Sequence, residues 1–261
     1  MTQATSKARK TSPLFRHMQA QQGGRPWGRV LDAGTGPASL RWIAGLETDS
    51  WTAITASERE RTLSREAVSD QIRAQDRILK GSWTDPTLLE GEHFDTVIAD
   101  YLLGAIDGFA PYFQSFLFAR LRPLVGRTLY VSGLDPYVPL TRPDDRVMRM
   151  LWSIGRYRDS CMLLSGRMPY REYPADWVSD HLQASGYRVD QIWHFNIRFN
   201  RHFVDAQIDM CRPGLDALDD RELATSLLRH GETLRQQAHD IIRSEGALRA
   251  GRNYVVCATP I

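Results

Sequence analysis

Residues 29 to 36, Arg-Val-Leu-Asp-Ala-Gly-Thr-Gly, limit what this chain can fold into more than any other stretch. A short apolar run (Val30, Leu31) ends in an acid, Asp32, and a Gly-x-Gly turn follows at once. Two glycines so close together allow a tight turn and the approach of a ligand with no Cβ in the way. Ser39 to Leu46 reads as a helix, whose start offers unpaired N–H groups. Strand, glycine turn and helix in that order describe a nucleotide-type pocket at the carboxyl end of a first parallel strand. A dinucleotide fingerprint adds a third glycine, Gly-x-Gly-x-x-Gly, for helix–strand packing. Ser39 stands at that position, and the acid before the glycines is foreign to the fingerprint.

The rest of the chain repeats the rhythm. Strands are expected over Arg29–Asp32, Trp51–Ser57, Asp76–Lys80, Phe94–Asp100 and Arg127–Gly133, with helical stretches over Arg59–Gln75 and Pro111–Leu121 among them. Pro13–Gln22 reads as a short helix ahead of the first strand. Strands alternating with helices imply βαβ units and a parallel sheet. After Gly133 the rhythm breaks. Asp144 to Asp159 is one amphipathic helix in irregular sequence, Ala175–Ala184 feeds a long strand, Tyr187–Phe199, and 202–249 is mostly helical. Asn253–Thr259 closes the chain as an apolar strand.

Composition excludes several classes. The 33 Lys and Arg against 31 Asp and Glu leave a net charge of +2, which announces neither a nucleic-acid binder nor an acidic tail. The three cysteines, Cys161, Cys211 and Cys257, form no Cys-x-x-Cys pair, which argues against a zinc site or disulfide framework and for a reducing compartment. Residues 1–12 read as a disordered basic tail with no apolar core, hence no secretory signal. No apolar run nears the roughly 18 residues of a membrane helix. A cytoplasmic location is expected.

Asp32-x-Gly34-x-Gly36 resembles motif I of the class I S-adenosylmethionine (SAM)-dependent methyltransferases, with Ala38 in place of the motif's last glycine. Phe-Asp-Thr-Val-Ile-Ala-Asp (94–100) is similar to that family's Phe-Asp-x-Val motif, and Leu121-Arg122-Pro123-Leu124-Val125-Gly126 to its approach to strand five. The resemblance implies an α/β fold: a Rossmann-like, mostly parallel seven-stranded sheet with helices on both faces, its last strand antiparallel between strands five and six. It also implies helical insertions after strand five and before the last strand. Residues 13–135 and 174–261 are then the SAM-binding core, and 136–173 and 202–250 the insertions that cap the acceptor.

By the same resemblance, the cofactor is S-adenosyl-L-methionine. Asp32, Ala33, Gly34, Thr35 and Gly36 meet its amino-acid end, Glu58 with its neighbour Arg59 the ribose hydroxyls, and Ser82 and Trp83 the adenine, with Asp100 a further cofactor contact. A carboxylate suits the ribose because its two oxygens accept from two adjacent hydroxyls. Candidate catalytic groups lie just past strands four and five: Asp100, Tyr101, Asp107, Asp135 and Tyr137. Tyr101 beside Asp100 is similar to the Asn/Asp-Pro-Pro-Tyr motif of amine methylases, with Leu102 and Leu103 after the tyrosine and the prolines missing. Asp100 with Asp135 is similar to the magnesium site of catechol-type O-methyltransferases, but Pro136 stands where that site has an Asn, so no metal is expected.

The expected activity is methyl transfer to an N, O or S atom of a small-molecule metabolite, with no nucleic-acid or membrane partner and with a homodimer left open. An RNA or protein methyltransferase would use the basic tail and the arginines at 142, 146, 149 and 156 for docking. A catalytically silent SAM-binding partner subunit and an NAD-dependent oxidoreductase are the other readings.

Overall fold

A computed structural model of the chain describes residues 11–261. In chain order the elements are α1 (Pro13–Gln22), β1 (Arg29–Asp32), α2 (Pro37–Ala44), β2 (Ser50–Thr55), α3 (Glu58–Ala67), β3 (Arg77–Lys80), β4 (Phe94–Asp100), α4 (Leu102–Ala105), α5 (Gln114–Leu121) and β5 (Val125–Leu134). The second half adds α6 (Arg146–Leu164), α7 (Ala175–Ala184), β6 (Tyr187–Phe199), α8 (Arg201–Asp209), α9 (Arg212–Asp216), α10 (Arg221–Glu245) and β7 (Leu248–Pro260). The expected basic tail lies outside the described residues except for Thr11 and Ser12, and Ser12 caps α1 by accepting from Leu14 N at 3.3 Å.

The seven strands form one sheet in the order β3-β2-β1-β4-β5-β7-β6. Pairing is parallel from β3 through β5, while β7 runs antiparallel between β5 and β6. Side chains alternate across a strand, so β1 sends Val30 to one face and Leu31 to the other. Leu14, Phe15, Leu40 and Ile43 of α1 and α2 cover the Val30 face, and Leu117, Phe118, Val178 and Leu182 of α5 and α7 cover the opposite one. Each such fully buried side chain contributes roughly 1.5–3 kcal/mol. The result is a Rossmann-like sheet between helical layers, the fold that the sequence resemblance implies.

The two insertions fold together. Leu151, Ile154 and Cys161 of α6 pack with Val204 and Ile208 of α8 and with Leu234, Ala238 and Ile241 of α10. Gly231 allows the closest approach, since a Cβ there would meet the Tyr157 hydroxyl at 2.4 Å.

Several boundaries differ from expectation. β2 stops at Thr55 rather than Ser57, because the Ser57 hydroxyl instead accepts from Glu60 N at 3.3 Å and caps α3. α3 ends at Ala67, well short of Gln75. β5 begins at Val125, two residues earlier than expected. β7 begins at Leu248, five residues before Asn253, and pairs Leu248 and Arg249 with Phe199 and Arg198 of β6. The long β6–β7 ribbon therefore runs out of the sheet and into the helical layer. α4, just past β4, had no signal in the sequence.

Candidate functional site

The chain turns sharply where four parallel strands end, and those turns enclose a cleft of about 390 Å³. Its walls are Ala33, Gly34 and Thr35 after β1, Thr55 to Ser57 with Arg59 and Glu60 after β2, Gly81 to Trp83 after β3, and Asp100 to Leu102 after β4. Ala105, Ile106, Phe109 and Ala110 complete one side, and Tyr170 reaches in from the segment between α6 and α7. That volume lies within the usual range for small-molecule sites.

Backbone hydrogen bonds hold the first turn to both neighbouring strands: Ala33 N donates to Ile98 O and Thr35 N to Ile54 O, each at 2.8 Å. Neither glycine has a positive φ. Gly34 is required because a Cβ would meet Leu102 Cδ1 at 2.8 Å, whereas the Cβ side of Gly36 is open space. Trp83 is both wall and anchor, since its buried indole N–H donates to Ala33 O at 2.7 Å. Ser82 shares a hydrogen bond with Thr84 at the rim.

Asp32 lies beneath the turn, fully buried. Its Oδ2 accepts from Ser39 Oγ at 2.8 Å, and its Oδ1 has no partner. Burial pushes its pKa up to about 7, with the Ser39 hydroxyl pulling the other way; the Thr35 hydroxyl and the Gly34 backbone lie nearby but outside hydrogen-bonding geometry. The Thr35 hydroxyl is also left without a partner.

Asp100 ends β4, half-buried, and accepts from the Ser132 hydroxyl. Burial raises it to about 6. Tyr101 follows with φ +50°, a left-handed conformation that costs a non-glycine residue about 1 kcal/mol. Tyr101 N is secured to Ser132 O at 3.1 Å. Strain of this kind gathers at functional sites. Burial raises the phenol well above the ordinary tyrosine range, and the Asp100 and Glu172 charges add to it.

Some candidates stand elsewhere. Glu58 opens α3 half-exposed, with Oε1 accepting from Arg61 at 2.6 Å, and does not reach the cleft wall. Its neighbours Arg59 and Glu60 do. Asp135 is a clamp away from the cleft, with Oδ2 accepting from Arg252 Nε at 3.1 Å and Oδ1 from Ala175 N at 3.4 Å. Asp107 is buried and accepts from Tyr112 N at 3.0 Å, and the Tyr137 hydroxyl accepts from Arg158 at 2.7 Å. Glu60 and Tyr170 line the cleft and were not among the residues expected from the sequence. The pattern Ser57-x-x-Glu60, a capping signature, was the available signal for the first. Among the described residues, no three His, Cys, Asp or Glu side chains gather as a metal ligand set.

The sequence matches no protein-family model and no curated protein. Its fold is similar to that of a Bacillus halodurans protein described provisionally as a methyltransferase: 12% identity, TM-score 0.61, covering 95% of this chain and 99% of that one. It is also similar to a mycolic acid cyclopropane synthase solved with S-adenosylhomocysteine (SAH), at 14% identity and TM-score 0.57, covering 94% and 82%. A third is coclaurine N-methyltransferase bound to N-methylheliamine and SAH, at 13% identity and TM-score 0.53, covering 94% and 71%. The chain thus has the fold of the class I SAM-dependent methyltransferases. At such identities the likeness carries the fold, and the reaction has to be argued from the site.

Proposed function

We propose that the protein is a SAM-dependent methyltransferase acting on an N, O or S atom of a small molecule. The observation that carries this reading is the cleft at the carboxyl edge of β1, β2 and β4, with an unpartnered carboxylate oxygen under its glycine turn. Two of the similar structures were solved with SAH, and one acts, by its name, on a small molecule.

The residues present fit the cofactor. Thr35 lines the cleft, and Asp32, behind the wall, would favour a cationic amino group at the turn through its charge, since its Oδ1 has no hydrogen-bond partner among the described residues. Gly36 leaves the turn open on its Cβ side. Glu60 offers the ribose hydroxyls a carboxylate with no partner among the described residues, because the reciprocal half of the capping box is not made: Ser57 N donates to Thr55 Oγ1 instead, at 3.3 Å. Trp83 and Ile106 offer apolar faces for an adenine, beside Ser82. When bound, SAM supplies an electrophilic methyl group on a sulfonium.

The chain's own part is to orient the acceptor and exclude water. Bringing acceptor and methyl to about 3–3.5 Å in line yields most of such a rate gain. Tyr101 and Asp100 stand where the acceptor must enter, and Tyr170 closes that side. Of the four arginines at 142, 146, 149 and 156, Arg149 donates to Pro143 O and Asp144 O, and Arg156 to Leu140 O, which ties two of them to the segment ahead of α6. No helix among the described residues is long and apolar enough to cross a membrane.

Thermal shifts with SAM, SAH and NAD test the reading. Ligand at 100 times its Kd stabilises by about 2.7 kcal/mol. The expected result is a shift with SAM and SAH and none with NAD; a shift with NAD alone refutes the proposal.

A further inference from the structure

Asp100 and Ser132 stand directly opposite each other where β4 and β5 pair, so their side chains leave the sheet on the same face. Ser132 is fully buried and does not line the cleft. Its hydroxyl donates to Asp100 Oδ1, and its carbonyl accepts from Tyr101 N at 3.1 Å. One residue of β5 therefore grips two consecutive residues of the cleft wall, a carboxylate and a left-handed turn. Among the described residues no other hydrogen bond reaches the Asp100 carboxylate.

The charges near that carboxylate follow from the strand register. Asp32 of β1 pairs with Ile98 of β4. Asp100 stands two residues further along β4 on the same face, about 6–7 Å closer to the carboxyl edge. Among the described residues the cleft wall has one basic side chain, Arg59, and it belongs to α3 after β2, across β1 from β4. The β1–β4 end of the cleft thus has two carboxylates and no basic side chain. Burial raises Asp100 to about 6, with the Ser132 hydroxyl pulling the other way. A hydrogen bond donated to a carboxylate favours its ionised form.

SAM carries two cationic groups, an ammonium and a sulfonium, and SAH keeps only the ammonium. Asp32, behind the turn, suits the group that both share. A second carboxylate fixed further along the cleft attracts the other, and opposite charges attract more strongly in a protein cleft than in bulk water. Resting on the methyltransferase reading, we infer that Ser132 is a positioning residue: it holds the Asp100 carboxylate against the cleft so that the site prefers the sulfonium of SAM to the neutral sulfur of SAH. Methyl transfer removes the sulfonium charge, so the contact that retains SAM lets go of SAH.

Titration calorimetry of the full chain with SAM and with SAH at pH 8 tests this. Asp100→Asn keeps the shape and removes the charge, and is expected to weaken SAM about 10-fold and SAH less than twofold. Ser132→Ala deletes the hydroxyl but leaves the carbonyl that secures Tyr101, and is expected to weaken SAM about threefold, with SAH again within twofold. Ser132→Cys, which fills the same space with a weak donor, gives that result where Ser132→Ala does not fold. Ser132→Thr keeps a hydroxyl and is expected to return SAM affinity toward wild type. General loosening of the cleft does not produce a loss confined to SAM, because SAH shares every other group. Equal weakening of SAM and SAH by Asp100→Asn overturns the preference for the sulfonium. SAM affinity lowered in Asp100→Asn but unchanged in the Ser132 variants overturns the role of Ser132. Binding of neither ligand to wild type refutes the cofactor site itself, so the two levels fail separately.

Discussion

Asp32 is a carboxyl group that water does not reach and that has one oxygen without a partner. Its pKa rises on folding from an ordinary 3.8 to about 7, so the folded state favours the protonated form. That contribution is complete below about pH 4 and is lost as pH climbs to about 7. The size is on the order of 2–4 kcal/mol. Asp32→Asn should therefore raise the ligand-free melting temperature at pH 8 by several degrees, raise it by less than half as much at pH 5, leave it near wild type below pH 4, and weaken the SAH shift. A wild-type pH slope retained in the variant would refute this account of Asp32. Glu58 and Glu60 make a second case. Two residues apart on a helix point about 200° apart, so only one of them can face the cleft. Glu60→Gln should cost about 10-fold in SAH affinity by titration calorimetry, and Glu58→Gln less than twofold. The opposite ranking would return the ribose to Glu58. Spacing in the sequence pointed to Glu58 alone; that Glu60 faces the cleft depends on where Ser57 caps α3, which spacing does not encode.

Among the elements, the turn after β1 separates two roles that its glycines share in sequence. Gly34 meets Leu102 of α4, and Gly36 meets open space at an extended φ of −135°. Gly34→Ala forces overpacking and is expected to destabilise the protein by about 1–3 kcal/mol. Gly36→Ala should leave stability within about 0.5 kcal/mol yet weaken SAH binding, because the new methyl stands in the approach. Chemical denaturation together with SAH titration of both variants checks this, and equal destabilisation by the two would refute the division. The turn was legible because a strand, an acid and two glycines leave the backbone few options. The left-handed Tyr101 and α4 were not, since Tyr-Leu-Leu-Gly carries no turn signature and the tertiary bond to Ser132 O holds the backbone there.

At the level of the whole molecule, the β6–β7 ribbon ties the sheet to the helical layer. Leu248 and Phe199 lie in the core of that layer, and Val255 and Val256 of the same ribbon lie in the sheet. One cooperative unit follows. Leu234→Ala, at a position 4% exposed in the helical core, should cost about 2–5 kcal/mol and lower a single melting transition. Two separated transitions would show that the layer unfolds alone. Alternation of strands and helices made the parallel sheet readable, while the place of the antiparallel last strand came from the family resemblance. The helical layer was readable only as periodic segments, because Tyr157 over Gly231 or Arg158 beside Tyr137 joins positions far apart in the chain.

The central claim is that the cleft after β1, β2 and β4 holds a SAM-type cofactor. A crystal structure of the protein with SAH tests it most directly. The account predicts SAH between the Gly34–Gly36 turn, Glu60 and Trp83, in contact with all three. Density for SAH elsewhere, or an empty cleft at saturating SAH, would contradict it.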